Sequence, residues 1–301
     1  MSQEMINRRN IHWFPGHMMR TLRSIEKRLP QVDAVVQLLD ARIPRSSLNP
    51  ELQALYGAKP RLYILNKADL ADEKATAEWL RYFKREDSGC VAINSKQRGA
   101  AMQAKRAVEQ ELAALLERRQ AKGMSGAQTR LMVTGIPNVG KSTFINNWAG
   151  SAKAKAADRP GVTRGEQWIA TGSYELMDMP GVLWKKFENL EIAVNLALIG
   201  SIPDDLLDTE EIAAGLLQQL AGEYGERLRE RFKLGAEALP QDGWELLEMV
   251  GRKRGMLVSG GEIDLGRAAI VVLDEFRGGK LGRISLEWPV VMNGMGEAPN
   301  E

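Results

Sequence analysis

The stretch Gly135-Ile136-Pro137-Asn138-Val139-Gly140-Lys141-Ser142 constrains the fold of this chain more than any other, because it fits G-x-x-x-x-G-K-[ST]. The apolar run Leu131-Met132-Val133-Thr134 before it reads as a strand, and Thr143 to Ala149 after it as a helix. That strand–loop–helix context turns the pattern into a phosphate-binding loop. Its glycines let successive backbone N–H groups converge on phosphate oxygens, and the helix N-terminus adds positive potential. Asn138, Val139, Gly140, Lys141, Ser142 and Thr143 are the candidate phosphate contacts. Lys141 would reach the β- and γ-phosphates and Ser142 would hold Mg²⁺.

A second loop selects the base. The buried-strand run Arg61 to Leu65 ends in Asn66-Lys67-Ala68-Asp69, an N-K-x-D sequence. A carboxylate at Asp69 can accept two hydrogen bonds from guanine N1–H and the 2-amino group. Adenine lacks that amino group and would leave the charge unpaired, which is expensive. Asn66 would contact the acceptor edge of the base or brace the phosphate loop, and the Lys67 stem would cover the base face. A third short strand, Val91-Ala92-Ile93, ends at Asn94-Ser95-Lys96, in partial likeness to the S-A-K-type loop by which GTPases touch the base through their backbone.

Other segments frame these loops. Leu22, Ile25 and Leu29 share one face of an expected amphipathic helix that Pro30 ends. Ala34 to Leu39 is apolar except for Gln37, as in a buried parallel strand, and leads to Asp40-Ala41-Arg42-Ile43-Pro44. Loops at that end of such sheets usually carry ligand groups. One long helix is expected from Ala100 to Arg119, with Ala104, Val108, Leu112 and Leu115 as its apolar stripe. Past the phosphate loop, Arg159-Pro160-Gly161-Val162-Thr163-Arg164 offers the Thr163 hydroxyl to Mg²⁺. Gln167 to Ala170 and Tyr174 to Met177 read as paired strands. The second ends in Asp178-Met179-Pro180-Gly181, a D-x-x-G in which Asp178 would hold Mg²⁺ and the Gly181 N–H would sense the γ-phosphate.

Composition excludes several classes. A single cysteine, Cys90, forbids an intramolecular disulfide and a cysteine-rich zinc site, and its apolar neighbours suggest a buried small hydrophobe. No run of 18 apolar residues is available to span a bilayer, and the N-terminus lacks a signal peptide's apolar core, so a cytosolic protein without membrane association is expected. The net charge of +2 is uninformative, but its distribution is not. Residues 1–30 hold six Lys/Arg against two Glu, residues 185–250 hold fourteen Asp/Glu against six Lys/Arg, and residues 252–283 hold seven Lys/Arg against four Asp/Glu. Such patches suit a polyanion on one face, or simply a solvated surface.

Motif order carries the most specific information. The base loops precede the phosphate loop, which precedes the threonine loop and D-x-x-G, whereas Ras-like GTPases begin with the phosphate loop. A rotated order is a circular permutation, tolerated where termini lie close. With Trp13-Phe14-Pro15-Gly16-His17-Met18, Asp40 to Pro44, Ser259-Gly260-Gly261-Glu262-Ile263-Asp264 and Gly279-Lys280-Leu281-Gly282-Arg283-Ile284, the chain resembles the circularly permuted GTPases of the YlqF type along nearly its whole length.

The resemblance implies an α/β fold: a permuted Ras-like GTPase domain over residues 1–185, mostly parallel sheet with flanking helices, then a small all-helical domain over 186–301. It also implies GTP hydrolysis coupled to maturation of the large ribosomal subunit, with rRNA and ribosomal proteins as partners and a monomer off the ribosome. Arg252, Lys253, Arg254, Arg277, Lys280 and Arg283 are the candidate RNA-facing group. Two departures stand out: the irregular second base loop, and Lys185-Lys186 after Trp184 where proline is expected. A nucleotide-gated docking module with incidental hydrolysis, and a permuted GTPase of the small subunit, are the alternatives.

Catalysis is the open part. Ras-type enzymes position the attacking water with a glutamine just after D-x-x-G, where this chain has Val182 and Leu183. A neutral His17, presented by a tight turn at Pro15-Gly16, is the candidate to orient it; the alternative is that His17 packs beside Trp13 and Phe14 or touches RNA. Asn138 resembles the asparagine of potassium-activated GTPases, which implies a K⁺ beside the phosphates; a polar residue bracing its neighbours is the other reading.

Overall fold

The computed structural model describes residues 15–123, 128–150, 167–187, 189–235 and 237–289. A six-stranded sheet forms the first half, from β1 (Ala34–Asp40), β2 (Arg61–Asn66), β3 (Gly89–Ile93), β4 (Thr129–Gly135), β5 (Gln167–Thr171) and β6 (Tyr174–Asp178). Their order is β3-β2-β1-β4-β6-β5. All neighbours are parallel except β5 and β6, whose antiparallel pairing turns over Gly172. β1 is buried at every position, Gln37 and Asp40 included, so its largely apolar run reports burial on both faces.

Helices α1 (Gly16–Arg28), α2 (Pro50–Tyr56), α3 (Glu73–Arg85), α4 (Ala100–Glu111), α5 (Ala113–Ala121) and α6 (Lys141–Ala149) accompany the sheet. Asn49 and Asp72 start α2 and α3 by accepting backbone N–H groups that the first turn would otherwise leave unbonded. α1 ends at Arg28, and Leu29 falls instead in a 3-10 turn with Pro30. The expected long helix from Ala100 is interrupted at Leu112, whose ψ of 10° leaves the helical range while its side chain stays buried. Ala104 and Val108 keep their core positions, but Leu115, beyond the interruption, is only half-buried. Cys90 is likewise half-buried.

Beyond residue 189 the described chain is helical: α7 (Leu190–Leu198), α8 (Thr209–Glu223), α9 (Gly225–Phe232), α10 (Gly243–Lys253) and α11 (Leu265–Arg277). Asn189, Asp208, Asp242 and Asp264 cap α7, α8, α10 and α11. Ile192 to Leu198 of α7 are all buried, as in a helix apolar on every side. α8 packs against both α10 and α11. At Gly243 a Cβ would lie 2.0 Å from the Ala214 carbonyl oxygen, so only glycine allows α10 this close to α8.

The chain then returns to the sheet. Ile284 N donates to Leu70 O at 2.9 Å and Leu286 N to Arg42 O at 2.9 Å. The Trp79 indole N–H donates to Glu287 O at 3.1 Å. The buried Glu287 carboxylate accepts from Ser46 N at 3.1 Å and from the Asn195 amide at 3.0 Å. No described helix is long and apolar enough to cross a membrane.

Candidate nucleotide-binding site

Strand register brings the motifs together. Asp40 pairs with Asn66, Asn66 with Ile93, Leu38 with Gly135, and Val133 with Asp178. Every parallel strand therefore ends at the same sheet edge, where ligands of open α/β sheets bind.

The phosphate loop has the backbone its sequence requires. Gly135 has φ +153°, and a Cβ there would sit 2.7 Å from Leu38 O. Gly140 has φ +95°, and its Cβ would sit 2.4 Å from the Asn66 amide nitrogen. Asn138 takes φ +59°, a left-handed conformation that asparagine tolerates better than most residues. No side chain caps the start of α6, which leaves its first N–H groups for an anion. Lys141 is only 8% exposed. Burial lowers its ammonium to about 8, against the opposing pull of Asp178. Ser142 and Thr143 are exposed at the start of the helix.

The base loop is wired to the phosphate loop. Asn66 donates to Val139 O at 2.8 Å and accepts from Ser95 N at 3.1 Å and from the Ser95 hydroxyl at 2.7 Å. Of its two expected roles, this geometry is that of a brace. Lys67, at φ +58°, donates to Asn138 O at 2.7 Å and pairs with Asp40 at 3.0 Å. Burial lowers its pKa, and Asp40 opposes that shift. Asp69 is exposed, and so is Lys96, whose N–H is bonded by the half-buried Asn94 at 2.9 Å. Asn147 of α6, absent from the sequence reading, donates to Ser95 O at 2.9 Å and to Gln97 O at 3.1 Å, so it ties the second base loop to the phosphate-loop helix.

The Asp40-Ala41-Arg42 segment departs from expectation. Arg42 meets Asp40 through two side-chain bonds, at 2.9 and 2.8 Å, and both residues are buried. Burial alone would raise the Asp40 pKa, but Arg42 and Lys67 hold it well below the usual carboxylate range. Arg42 lies over the Phe276 ring and donates to Phe276 O at 3.4 Å. Its charge is consumed inside the protein, so Asp40 and Arg42 support Lys67 rather than form an open ligand loop.

D-x-x-G lies beside the phosphate loop. Asp178 ends β6, 8% exposed. A Cβ on Gly181 would sit 2.8 Å from the Pro137 Cα and 3.1 Å from the Lys141 amine. Val182 and Leu183 are fully buried, and Val182 N donates to Gly135 O at 3.3 Å. Both side chains are apolar and buried, so neither can hydrogen-bond a water. Thr163 lies outside the described residues. Among the described residues no cluster of three or more His, Cys, Asp or Glu could hold a metal. One hydroxyl, Ser142, and one carboxylate, Asp178, form a hard-oxygen set that fits the Mg²⁺ GTPases generally use, completed by phosphate and water.

His17 sits in the first turn of α1, exposed, with its carbonyl accepting the Thr21 hydroxyl at 3.0 Å. Pro15 and Gly16 start that helix instead of forming a separate tight turn. The basic group is divided. Arg252, Lys253 and Lys280 are exposed. Arg254 pairs with Glu275 at 3.0 Å, and Arg283 donates to Ala71 O at 2.8 Å and Ala68 O at 3.0 Å. Arg277 binds Asp204 and the α7 carbonyls. These three guanidinium groups are engaged within the protein, contrary to a purely RNA-facing role. Of their acidic partners only Asp204 lies in the acid-rich 185–250 segment, so net charge alone did not single out these three.

Comparison with known proteins agrees with this geometry. Residues 130–217 match the family model described as 50S ribosome-binding GTPase. Ribosome biogenesis GTPase A of Bacillus cereus is 41% identical over 93% of this chain and 94% of its own length. The protein of that name from Priestia megaterium is 40% identical over 93% and 97%. The GNP-bound YlqF crystal structure from T. maritima superposes with a TM-score of 0.60, at 27% identity, over 89% of this chain and 97% of that one. Sheet order, loop geometry and relatedness over nearly the full length lead to one assignment: the chain belongs to the ribosome biogenesis GTPase A family and is a GTPase of ribosome biogenesis.

Proposed function

We propose that this GTPase binds the maturing large ribosomal subunit and its rRNA, and couples its GTP/GDP switch, driven by hydrolysis, to a late maturation step. The observation that carries the reading is continuity: Gly181 packs on Pro137 of the phosphate loop, and only residues 182–189 separate it from α7. Rearrangement at the γ-phosphate would thus be passed to the helical region through a short, partly buried connection, an order–disorder switch in kind. Residues 1–185 would act as the nucleotide unit and 186–301 as the subunit-facing unit, with Arg252, Lys253 and Lys280 as exposed phosphate contacts. The cytoplasm is the matching compartment, and a monomer the matching state off the ribosome.

Within the site, Asp69, the Lys67 stem and the backbone of residues 94–96 would hold guanine. Lys141, with the N–H groups of residues 138–143, would hold the phosphates, and the Gly181 N–H would meet the γ-phosphate. Ser142, Thr163 and Asp178 would hold Mg²⁺, which supplies charge neutralisation between the phosphates. Because Val182 cannot orient a water, His17 is the residue proposed for that role. Asn138 would present its side-chain oxygen to a K⁺. Unassisted turnover should be slow, since intrinsic Ras-type rates are on the order of 10⁻⁴ per second and a partner can add about 10⁵-fold.

The test is GTP turnover of the full chain with and without purified large subunits, in K⁺ and in Na⁺. Stimulation by large but not small subunits is expected, and it should be weaker in Na⁺. Subunits that bind without raising turnover would make the protein a docking module, and equal rates in both salts would remove K⁺. Replacing His17 by Ala should lower the stimulated rate and spare GTP affinity; an unchanged rate would exclude it.

A further inference from the structure

We infer that Arg277 is a positioning residue of the phosphate loop, acting through the turn that ends α7. The turn has the hydrogen bonds of a Schellman cap: Ser201 N donates to Leu196 O at 2.8 Å and Gly200 N to Ala197 O at 2.9 Å, with Gly200 at φ +76°. Arg277 adds donors to two carbonyls of that last turn, one of them the Ala197 O that already accepts from Gly200 N. Its Nε donates to Leu198 O at 3.0 Å and its Nη2 to Ala197 O at 2.8 Å. The same guanidinium pairs with Asp204 through contacts of 2.6 and 2.7 Å. A cation at a helix C-terminus also meets the negative end of the helix dipole.

The other side of the turn faces the nucleotide loop. The Ser201 hydroxyl, in a residue 2% exposed, donates to Pro137 O at 2.7 Å. The Asn138 amide donates to Gly200 O. Pro137 is therefore held between Ser201 and Gly181, and Asn138 between Gly200 and the Lys67 ammonium that reaches its carbonyl. These are variable positions of the phosphate-loop motif, so the motif alone leaves their conformation undetermined. Here the conformation is set from outside, by a turn that Arg277 fixes from the end of α11.

The assignment rests on the GTP site and not on the ribosomal partner, so a failure to bind subunits would leave it standing. Because Pro137 also packs on Gly181, loosening the turn should weaken GTP-analogue binding more than GDP binding. The test measures both affinities for the full-length parent, Arg277→Ala, Arg277→Lys, Ser201→Ala and the double variant Arg277→Ala/Ser201→Ala, each with its thermal midpoint. Couplings of this kind change affinity by about 3- to 30-fold, and that loss is expected for the GTP analogue in Arg277→Ala. Lysine should restore only part of it, since an ammonium cannot span two carbonyls and a carboxylate as the planar fork does. Ser201→Ala, a small change that should fold, is expected to shift the ratio in the same direction, and the double variant should lose less than the sum of the two singles. A Ser201→Ala protein with the parent's ratio of GTP-analogue to GDP affinity would overturn the proposal, as would strict additivity in the double variant.

Discussion

Asp40 carries two cations where water does not reach it, and its removal tests how the base loop is supported. Replacing it by Asn leaves Arg42 and Lys67 without their shared carboxylate, and breaking a buried pair in this way costs about 3–5 kcal/mol. Urea unfolding at neutral pH should show that loss. The pH dependence has a definite sign. The folded-state pKa is depressed, so the contribution is complete above the unfolded carboxylate value of about 3.9 and is lost as pH falls through the lower folded value. The gap between parent and Asp40→Asn should therefore narrow in acid. At Gly140, the added methyl of Ala would displace the Asn66 amide and strain a backbone at φ +95°. Nucleotide affinity should drop at least about tenfold, a change of about 1.4 kcal/mol, in a protein that still melts cooperatively. The sequence showed that a glycine belongs there; it did not show that Asn66 is the neighbour that requires it.

At the scale of elements, local patterns identified what burial makes uniform. β1, β2 and β4 were legible because strands covered on both faces are mostly apolar. The interruption at Leu112 was not, since the apolar spacing continues through it and only the backbone ψ changes. Close approach between helices was equally silent. Gly243 reads as a helix start after Asp242, yet it marks the crossing with Ala214. Gly243→Ala should push α10 away from α8 and destabilise the protein by about 1–3 kcal/mol, the usual effect of overpacking. Chemical denaturation measures this, and GTP affinity at low denaturant should change little.

For the whole molecule, the last described residues matter most. The 281–289 segment joins the base loop, α3 and α7 through Arg283, Ile284, Trp79, Glu287 and Asn195. Burial raises the Glu287 carboxyl, and hydrogen bonds from Ser46 and Asn195 pull the other way. A chain stopped after Lys280 should lose GTP affinity although every nucleotide motif is intact, because Leu70 O, Ala68 O and Ala71 O lose their donors beside Asp69. Equilibrium nucleotide binding checks this outcome.

By itself the sequence determined the permuted order of motifs, the parallel sheet and the loops at its edge. Those features depend on residue type at fixed local spacing: glycine for left-handed backbone, apolar runs for strands, a lysine and a serine at the start of a helix. Tertiary structure decided which charges are available. Arg42, Arg254, Arg277 and Arg283 look alike in sequence to Arg252 and Lys253, yet their partners lie up to 234 residues away along the chain. A contact formed across such a separation leaves no local pattern, because it is made only when distant parts of the chain fold together.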